Sequence, residues 1–338
     1  MQMPSSAEVH LDASPLRRQG AESAAPARAG ESPLRLPQVL LGVLWLADGG
    51  LQLQPFMFGH SFVTAVLLPT AAGNPTPVAG SISAMARFIE PHIALWNALF
   101  AATQVVIGLG LLVRRTVRPA LVLSFAWSLL VWWFAEGLGG ILTGAASPLG
   151  GAPGAVLLYV LVGLLAWPRR SVDEEPERAP SSGLLGDAGS RIALAALWLG
   201  SAALLLRPVN FAGGALRNAI VAAEAGQPAW YADFLASAAS IVGSHGTALT
   251  VALAVEMALL GLGAAFGWRT PGLLGVAAVL ALVLWVFPEG LGGILTGQGT
   301  DPNTGPLLAL AGFAWYRSRP QTAIQPVHAM PQGLPQAA

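Results

Sequence analysis

Long runs of apolar residues alternate with short polar segments along most of the chain. A helix needs about 20 mostly apolar residues to cross a bilayer, within a range of about 17–25. Eight runs come near this length and predict eight membrane-spanning helices, over residues 38–54, 93–113, 119–136, 152–168, 191–206, 246–267, 272–288 and 304–317. The fifth and the eighth of these runs are the shortest.

The second half of the chain repeats the first. A shift of 153 residues aligns 38–144 with 191–297 without a gap. The strongest match is an eleven-residue segment starting at Phe134 and at Phe287, which differs at one position. Because each copy holds an even number of spans, both copies face the same way, as parallel repeats about an axis along the membrane normal. The predicted fold class is therefore all-α, with eight transmembrane helices in two parallel-repeat four-helix bundles.

Composition divides the chain into five segments. Residues 1–35 and 320–338 are polar and Pro-containing, and we expect disordered cytoplasmic tails there, without a cleaved signal peptide. The four-helix repeats are expected over 36–168 and 191–319. Residues 169–190 are rich in charged residues, Pro, Ser and Gly, and predict a solvated cytoplasmic linker.

Arginine placement predicts the orientation. Cytoplasmic loops carry an excess of basic residues, and all 17 basic residues of this chain are arginines. One set of loops holds most of them, which places both termini in the cytoplasm. The use of arginine without lysine, together with abundant Ala, Gly, Leu and Pro, indicates a GC-rich bacterial genome, so we expect a plasma (inner) membrane protein. The arginines on the predicted cytoplasmic side are Arg35, Arg114, Arg115, Arg118, Arg169, Arg170, Arg178, Arg269, Arg317 and Arg319.

Composition also excludes several kinds of chemistry. Of the 338 residues 54% are hydrophobic and 10% charged, against about 25% charged in soluble domains, so the expected surroundings are a lipid bilayer. The chain has no cysteine, which excludes disulfides, thiolate metal sites and a cysteine nucleophile. No phosphate loop, dinucleotide-binding glycine motif, serine elbow or basic nucleic-acid patch is present. We therefore expect no nucleic-acid partner, and no catalytic residue can be named.

The duplicated segment contains the first candidate site. Glu136 and Glu289 each precede a glycine-rich turn that cannot continue a stable helix and whose backbone N–H groups can turn toward an anion. The pattern has two interpretations: a tight extracytoplasmic hairpin whose glutamate reaches water, or a functional site. After the second copy, Asp301 can cap the last helix. The turn residues are Gly137, Gly139, Gly140, Thr143, Gly290, Gly292, Gly293 and Thr296.

Four further polar residues complete the candidate site. His92 and His245 coincide in the repeat and precede the second span of each half. They can either anchor a helix end or meet the duplicated glutamates, where a pair could relay protons, orient a ligand or bind a divalent metal; which metal, if any, is not indicated. Asp48 and Glu256 lie within predicted spans, where an isolated charge costs at least about 2.5 kcal/mol.

The remaining apolar features have structural interpretations. Most of the eleven tryptophans are typical of interfacial anchors and packing, and the alternative is an aromatic wall for a quinone-like ring. Residues 55–91 and 208–244 predict interfacial helices. The Gly-Leu-Gly segments at 108–110 and 261–263 lie in predicted spans and favour close helix packing.

The four-span unit, its long segment after the first helix and its Gly-Leu-Gly-Leu-Leu sequence (108–112) before a basic turn resemble the DoxX/DoxD-like membrane proteins. The resemblance covers each half, although the fused duplication and the glycine-rich turn differ from the usual single unit. It implies a subunit of a membrane redox system such as thiosulfate:quinone oxidoreductase.

The sequence leaves two expected functions. The first is a non-catalytic DoxX-like subunit that supports an extracytoplasmic or quinone-linked redox partner, with quinone as a cofactor implied only by the resemblance. The alternative is a proton-coupled transporter of a small solute or metal ion, with Asp48, Glu256 and the His/Glu pairs along its pathway.

Overall fold

The computed structural model describes residues 33–168, 183–211 and 214–318, and all of the regular secondary structure in these ranges is helical. The predicted tail 320–338 and most of the predicted tail 1–35 and linker 169–190 lie outside the described residues. The end of the predicted linker is helical instead, because the next helix begins at Gly186 and holds Asp187 in its first turn. Acidic residues there interact favourably with the helix dipole.

The first half contains five long helices: α1 (Arg35–Leu51), α2 (Thr76–Ile89), α3 (Ile93–Leu112), α4 (Val117–Phe134) and α5 (Ala155–Leu165). Short helical segments fill the chain between α1 and α2 (Pro55–Phe58, His60–Phe62, Val63–Leu67 and Leu68–Ala71). The others are Glu90–His92 between α2 and α3, and Gly137–Thr143 and Pro148–Gly150 between α4 and α5.

The second half follows the same order. Its long helices are α6 (Gly186–Leu205), α7 (Ala215–Ala222), α8 (Ala229–Gly243), α9 (Gly246–Ala265), α10 (Pro271–Val286) and α11 (Thr304–Arg317). The short segment Pro208–Phe211 follows α6, and Gly290–Thr296 separates α10 from α11.

Four helical stretches are long and apolar enough to cross a membrane: Thr76–Leu112, Val117–Phe134, Gly186–Leu205 and Gly246–Ala265. A fifth results if Pro271–Val286 and Gly290–Thr296, bent by 44° against each other, form one span. The helices α1, α5 and α11, at 17, 11 and 14 residues, are shorter. Many large apolar side chains on the long helices are exposed, for example Val106 on α3, Leu129 on α4 and Val279 on α10. Such a surface is compatible with lipid contact.

Equivalent helices pack alike in the two halves, α1 on α3 and α6 on α9. Glycine allows the close approach: a Cβ added to Gly108 would lie 2.8 Å from the carbonyl oxygen of Gly42, and one added to Gly261 would lie 2.6 Å from Leu199 Cγ. The interpretation of the Gly-Leu-Gly segments as packing residues is confirmed. Helix α5 packs on α11, where the two halves meet, and one continuous buried core includes Trp45 and Trp198 from the respective halves.

Candidate functional site

The duplicated glutamates turn inward and hold the N-terminus of the next long helix. Val156 N donates a hydrogen bond to Glu136 Oε1 at 3.2 Å, and Gly305 N donates to Glu289 Oε2 at 3.0 Å. A carboxylate at this position satisfies N–H groups that lack a partner within the helix and complements its dipole. Glu289 is buried, so the interpretation of a glutamate that reaches water fails there.

The glycine-rich turns supply the bend that brings each glutamate to that helix end. Residues 137–140 have φ angles of 55°, 59°, 60° and 67°, and residues 290–293 have 55°, 56°, 67° and 67°. Four successive left-handed residues are sterically costly for L-amino acids, and glycine occupies three of the four positions. Only Leu138 and Leu291 carry that cost.

The other side chains that the two turns share have structural partners. Thr143 Oγ1 donates to Gly140 O and Thr296 Oγ1 donates to Gly293 O, both at 2.7 Å. The side-chain amide of Asn74 donates to the carbonyl oxygen of Gly137 at 3.3 Å, and that of Gln227 donates to Gly290 O at 2.9 Å. The turn residues therefore build the backbone bend, and their hydrogen bonds are made within the protein.

The two glutamates differ in how completely they are bonded. Thr304 Oγ1 donates to Glu289 Oε1, so both carboxylate oxygens of Glu289 have donors. The first half has Ala155 in place of Thr304, and Glu136 Oε2 is buried without a hydrogen-bond partner in the described part of the chain. Because buried polar atoms are normally satisfied, Glu136 retains unused hydrogen-bonding capacity.

Asp301 joins the two halves at this point. It lies in the turn before α11, where its Oδ1 accepts from Asn303 N at 2.7 Å and its Oδ2 from Thr300 Oγ1 at 2.9 Å. Asp301 interacts electrostatically with Asp48 on α1 and with Glu136. The side chain that caps α11 is Asn303, which accepts from Thr304 N, so the sequence interpretation of Asp301 as that cap is wrong.

Tyr159 on α5 completes the polar cluster. Its hydroxyl lies beside the Asp48 carboxyl group, yet neither Tyr159 Oη nor Asp48 Oδ1 has a hydrogen-bond partner of good geometry among the described residues. Both side chains are buried. We refer to Asp48, Glu136, Tyr159 and Asp301 as the acid cluster.

A large cavity, here named the aromatic cavity, extends from the acid cluster. Asp48, Glu136 and Asp301 border it together with Gln52 and Gln104, and no arginine or histidine is among the described residues of its lining. Its wall is largely aromatic, and ring centroids 5.3–6.4 Å apart link successive members of the row from Phe88 to Trp127. The aromatic residues of this wall include Phe62, Phe88, Trp96, Phe100, Trp127 and Phe134.

Burial raises the pKa values of the three carboxyl groups that lie in the turns between helices. Burial, followed by the neighbouring Asp301, raises the pKa of Glu136 to about 8. Burial also raises the pKa of Glu289, to about 7, although the Thr304 hydroxyl and the Gly305 N–H oppose the shift. The pKa of Asp301 is raised by burial against its local hydrogen bonds. Removal from water disfavours the charged form of each carboxyl group.

The other sequence candidates lie apart from the acid cluster. His92 and His245 are exposed, and His245 Nδ1 lies 2.8 Å from Ser244 Oγ. Glu256 is half-buried on α9 and borders neither the aromatic cavity nor the cavities at the two glycine-rich turns. No group of three or more histidine, aspartate or glutamate side chains within the described ranges has a geometry suited to a metal ion.

The corresponding region of the second half is apolar. The apolar cavity found there is lined in part by Leu249 and Leu253, which the 153-residue shift places on Trp96 and Phe100. The same shift places Ser201 on Asp48. The halves therefore have similar backbones, but the aromatic cavity is lined mostly by the first half, and the acid cluster beside it takes only Asp301 from the second half.

Comparison with protein-family models, with curated proteins and with solved structures finds no match for the chain. The resemblance to DoxX/DoxD-like proteins stays a prediction.

Proposed function

We propose that the protein is a multi-pass plasma-membrane protein that binds a quinone in the aromatic cavity, as a non-catalytic membrane subunit of a quinone-linked redox system. The observation that carries this proposal is the acid cluster at the end of an aromatic cavity, assembled from both halves. We further propose an origin by duplication of one four-helix unit, eight spans and cytoplasmic termini. The recurring turns, glutamate contacts and helix pairs support that origin.

A quinone matches the two chemical parts of the cavity. Its flat ring can stack on or pack edgewise against aromatic side chains, and its carbonyl oxygens accept hydrogen bonds. Donors are present: a protonated carboxyl group, the Gln104 amide and the Trp127 indole N–H can each supply one, and the last of these has no acceptor among the described residues. A lining without cationic side chains disfavours an anionic ligand.

The test uses substitutions that the second half already contains. Asp48→Ser and Phe100→Leu introduce the side chains of Ser201 and Leu253 at the equivalent positions. Binding of a short-chain ubiquinone to the purified protein is followed by quenching of tryptophan fluorescence. We expect each substitution to weaken binding by about tenfold or more, the effect of about 1.4 kcal/mol.

Ser201→Ala on α6 is the matched control and leaves binding unchanged. The absence of saturable quenching in the unaltered protein rejects the quinone proposal. Co-purification in mild detergent tests the subunit role separately, since a protein that is isolated without a partner and without bound quinone contradicts it.

A second candidate function rests on the cavity's charge. Acidic side chains without a cationic neighbour in the lining also suit a cationic solute or metal ion carried together with protons. Uptake of Zn²⁺ or a small organic cation into proteoliposomes under a pH gradient tests this function. Transport lost in Asp48→Asn and retained in Ser201→Ala supports it, whereas no uptake above that of protein-free liposomes rejects it.

A further inference from the structure

A second cavity adjoins the aromatic cavity in the first half. This polar cavity is bordered by the left-handed turn at Gly139 and Gly140 and by Thr143. The polar and aromatic cavities share three lining residues, Ala135, Glu136 and Asp301. Two carboxyl groups therefore form most of the partition between a polar space and the proposed ligand space.

We propose that Glu136 and Asp301 form a proton gate, through which a ligand beside Asp48 exchanges protons with the polar cavity. This inference rests on the proposed function for the identity of the ligand. The gate also sets the direction of proton entry, because the polar cavity lies on the side of the glycine-rich turn.

The bonding of Glu136 suits this role. One oxygen is fixed by Val156 N, whereas Oε2 is buried and lacks a partner in the described chain. A carboxyl group passes a proton over a hydrogen bond of about 2.6–3.2 Å or through one water. Room for the Glu136 side chain depends on Gly154, because a Cβ added there would overlap Oε2. Asp301, by contrast, is held by its bonds to Thr300 and Asn303.

The charged groups around Glu136 come from several elements. Asp301 lies before α11, Asp48 on α1 and Tyr159 on α5, and Asp301 also interacts with Glu289. All of these are acids, so each disfavours a second negative charge nearby. The pKa of Glu136, raised to about 8 by burial and Asp301, allows this carboxyl group both to hold and to release a proton near neutral pH.

The second half provides an internal contrast. Its polar cavity is bordered by Gln227, Glu289 and Gln298, and it shares no lining residue with the apolar cavity. Both oxygens of Glu289 have donors. The second-half polar cavity also shares Val66 and Thr300 with the aromatic cavity, but neither residue carries a carboxyl group. Glu289 borders only the second-half polar cavity, whereas Glu136 and Asp301 border both the polar and the aromatic cavity, which assigns the gate to the first-half turn.

Infrared spectroscopy of the full chain in nanodiscs tests the gate without any quinone. The C=O band of protonated Glu136, identified by its loss in Glu136→Gln, shifts when H₂O is replaced by D₂O in a stopped-flow cell. Two tryptophans are placed separately in the polar cavity, in Ala145→Trp and Gly150→Trp. Both positions are exposed, and a Cβ added to Gly150 meets no atom within 4 Å, so these variants are expected to fold.

We expect either tryptophan to slow deuterium exchange of the Glu136 band several-fold. Gln298→Trp, at the position equivalent to Ala145 in the second half, is expected to leave the exchange rate unchanged. Exchange unaffected by both first-half tryptophans, or no band lost in Glu136→Gln, overturns the gate. If the tryptophans slow the exchange but the protein does not bind quinone, the proposed ligand is rejected and the gate is retained.

Discussion

The backbone N–H of Gly305 reaches the carboxylate of Glu289 at 3.0 Å, and this contact ties the start of α11 to the glycine-rich turn. The equivalent contact of Glu136 lacks the additional hydroxyl donor that Thr304 supplies. The same residue type thus has a purely structural environment in one half and an incompletely bonded one in the other.

Removal of the two glutamates is expected to cost different amounts of stability. Glu289→Ala leaves a buried hydroxyl and a buried N–H unpaired, and we expect the free energy of unfolding to fall by about 1–3 kcal/mol. Glu136→Ala removes one backbone hydrogen bond but also a carboxyl group close to Asp301, so a smaller loss of about 0.5–1 kcal/mol is expected. Denaturation in mixed detergent micelles measures both.

The exposed Asp233 serves as the control for these two variants. Asp233→Ala is expected to leave stability within about 0.5 kcal/mol of the unaltered protein. A loss in Glu136→Ala that equals or exceeds the loss in Glu289→Ala contradicts the assignment of Glu289 as the better-bonded cap.

Alanine substitutions at two neighbouring glycines of the left-handed turn are expected to cost different amounts of stability. A Cβ on Gly139 would overlap the carbonyl oxygen of Pro153, whereas a Cβ on Gly140 meets only Thr143 Oγ1, at 3.8 Å. We expect Gly140→Ala to cost about 1–2 kcal/mol from its left-handed conformation alone. Gly139→Ala is expected to cost clearly more, because the backbone must also move.

The second turn repeats this test with Gly292→Ala and Gly293→Ala. The Cβ of the former would lie 2.7 Å from Pro302 C, and that of the latter 3.6 Å from Thr296 Oγ1. Thermal unfolding of all four variants is compared, and equal effects within each pair would contradict the described backbone.

The local sequence pattern was sufficient to predict the helix break at the glycine-rich turn and to single out Asp48 of the acid cluster. Four glycines in eight residues predict a helix break, and Asp48 stands out as a carboxylate in an apolar run. The predicted helix over 304–317 is confirmed as α11 (Thr304–Arg317). The predicted helix over 152–168 is shorter, Ala155–Leu165, because Gly154 has a φ of 113° that a helix does not accommodate.

The partners of Asp48 were missed because they depend on contacts distant in sequence. Asp301 comes from the other half, and its local sequence is also typical of a helix cap. Differences between the copies were the usable signal: Asp48, Trp96 and Phe100 are polar or aromatic where the second copy has serine or leucine. The histidine pair is matched in sequence, but both side chains are exposed and lie apart from the acid cluster.

Stability is expected to fall as the pH rises through neutrality. The pKa of Glu136 rises from 4.5 to about 8 on folding, and that of Glu289 to about 7. Between these limits the folded protein binds protons that the unfolded chain has lost, so the stabilisation is full below about pH 4.5 and is lost as the pH passes each folded-state value. Each group contributes at most about 1.4 kcal/mol per pH unit.

The variants Glu136→Gln and Glu289→Gln separate the two contributions. Unfolding midpoints measured from pH 5 to pH 9 should depend less on pH below pH 7 in both variants. Between about pH 7 and pH 8 the dependence should be reduced only in Glu136→Gln. Asp233→Asn should follow the unaltered protein. A stability that increases from pH 5 to pH 8 contradicts the protonated state proposed for both carboxyl groups.

The number of spans can be measured with single cysteines, since the chain has none of its own. Cysteines at Ser5, Ala145 and Gln298 report the side of the N-terminus and of the two glycine-rich turns. With eight spans, three helices precede the first turn and seven precede the second, so both turns lie opposite the N-terminus. With only the four long stretches Thr76–Leu112, Val117–Phe134, Gly186–Leu205 and Gly246–Ala265 crossing, both turns share its side. If the bent pair crosses as a fifth span, the turns lie on opposite sides of the membrane.

Labelling of intact cells with a membrane-impermeant maleimide therefore separates the three topologies. We expect Ala145→Cys and Gln298→Cys to be labelled from outside and Ser5→Cys only after the membrane is permeabilised. Arg115→Cys, in the basic turn between α3 and α4, should behave like Ser5→Cys because two spans precede it in the eight-span topology. Turns labelled from opposite sides are incompatible with parallel repeats, and they would also place the polar cavity and the region around Glu289 in different compartments.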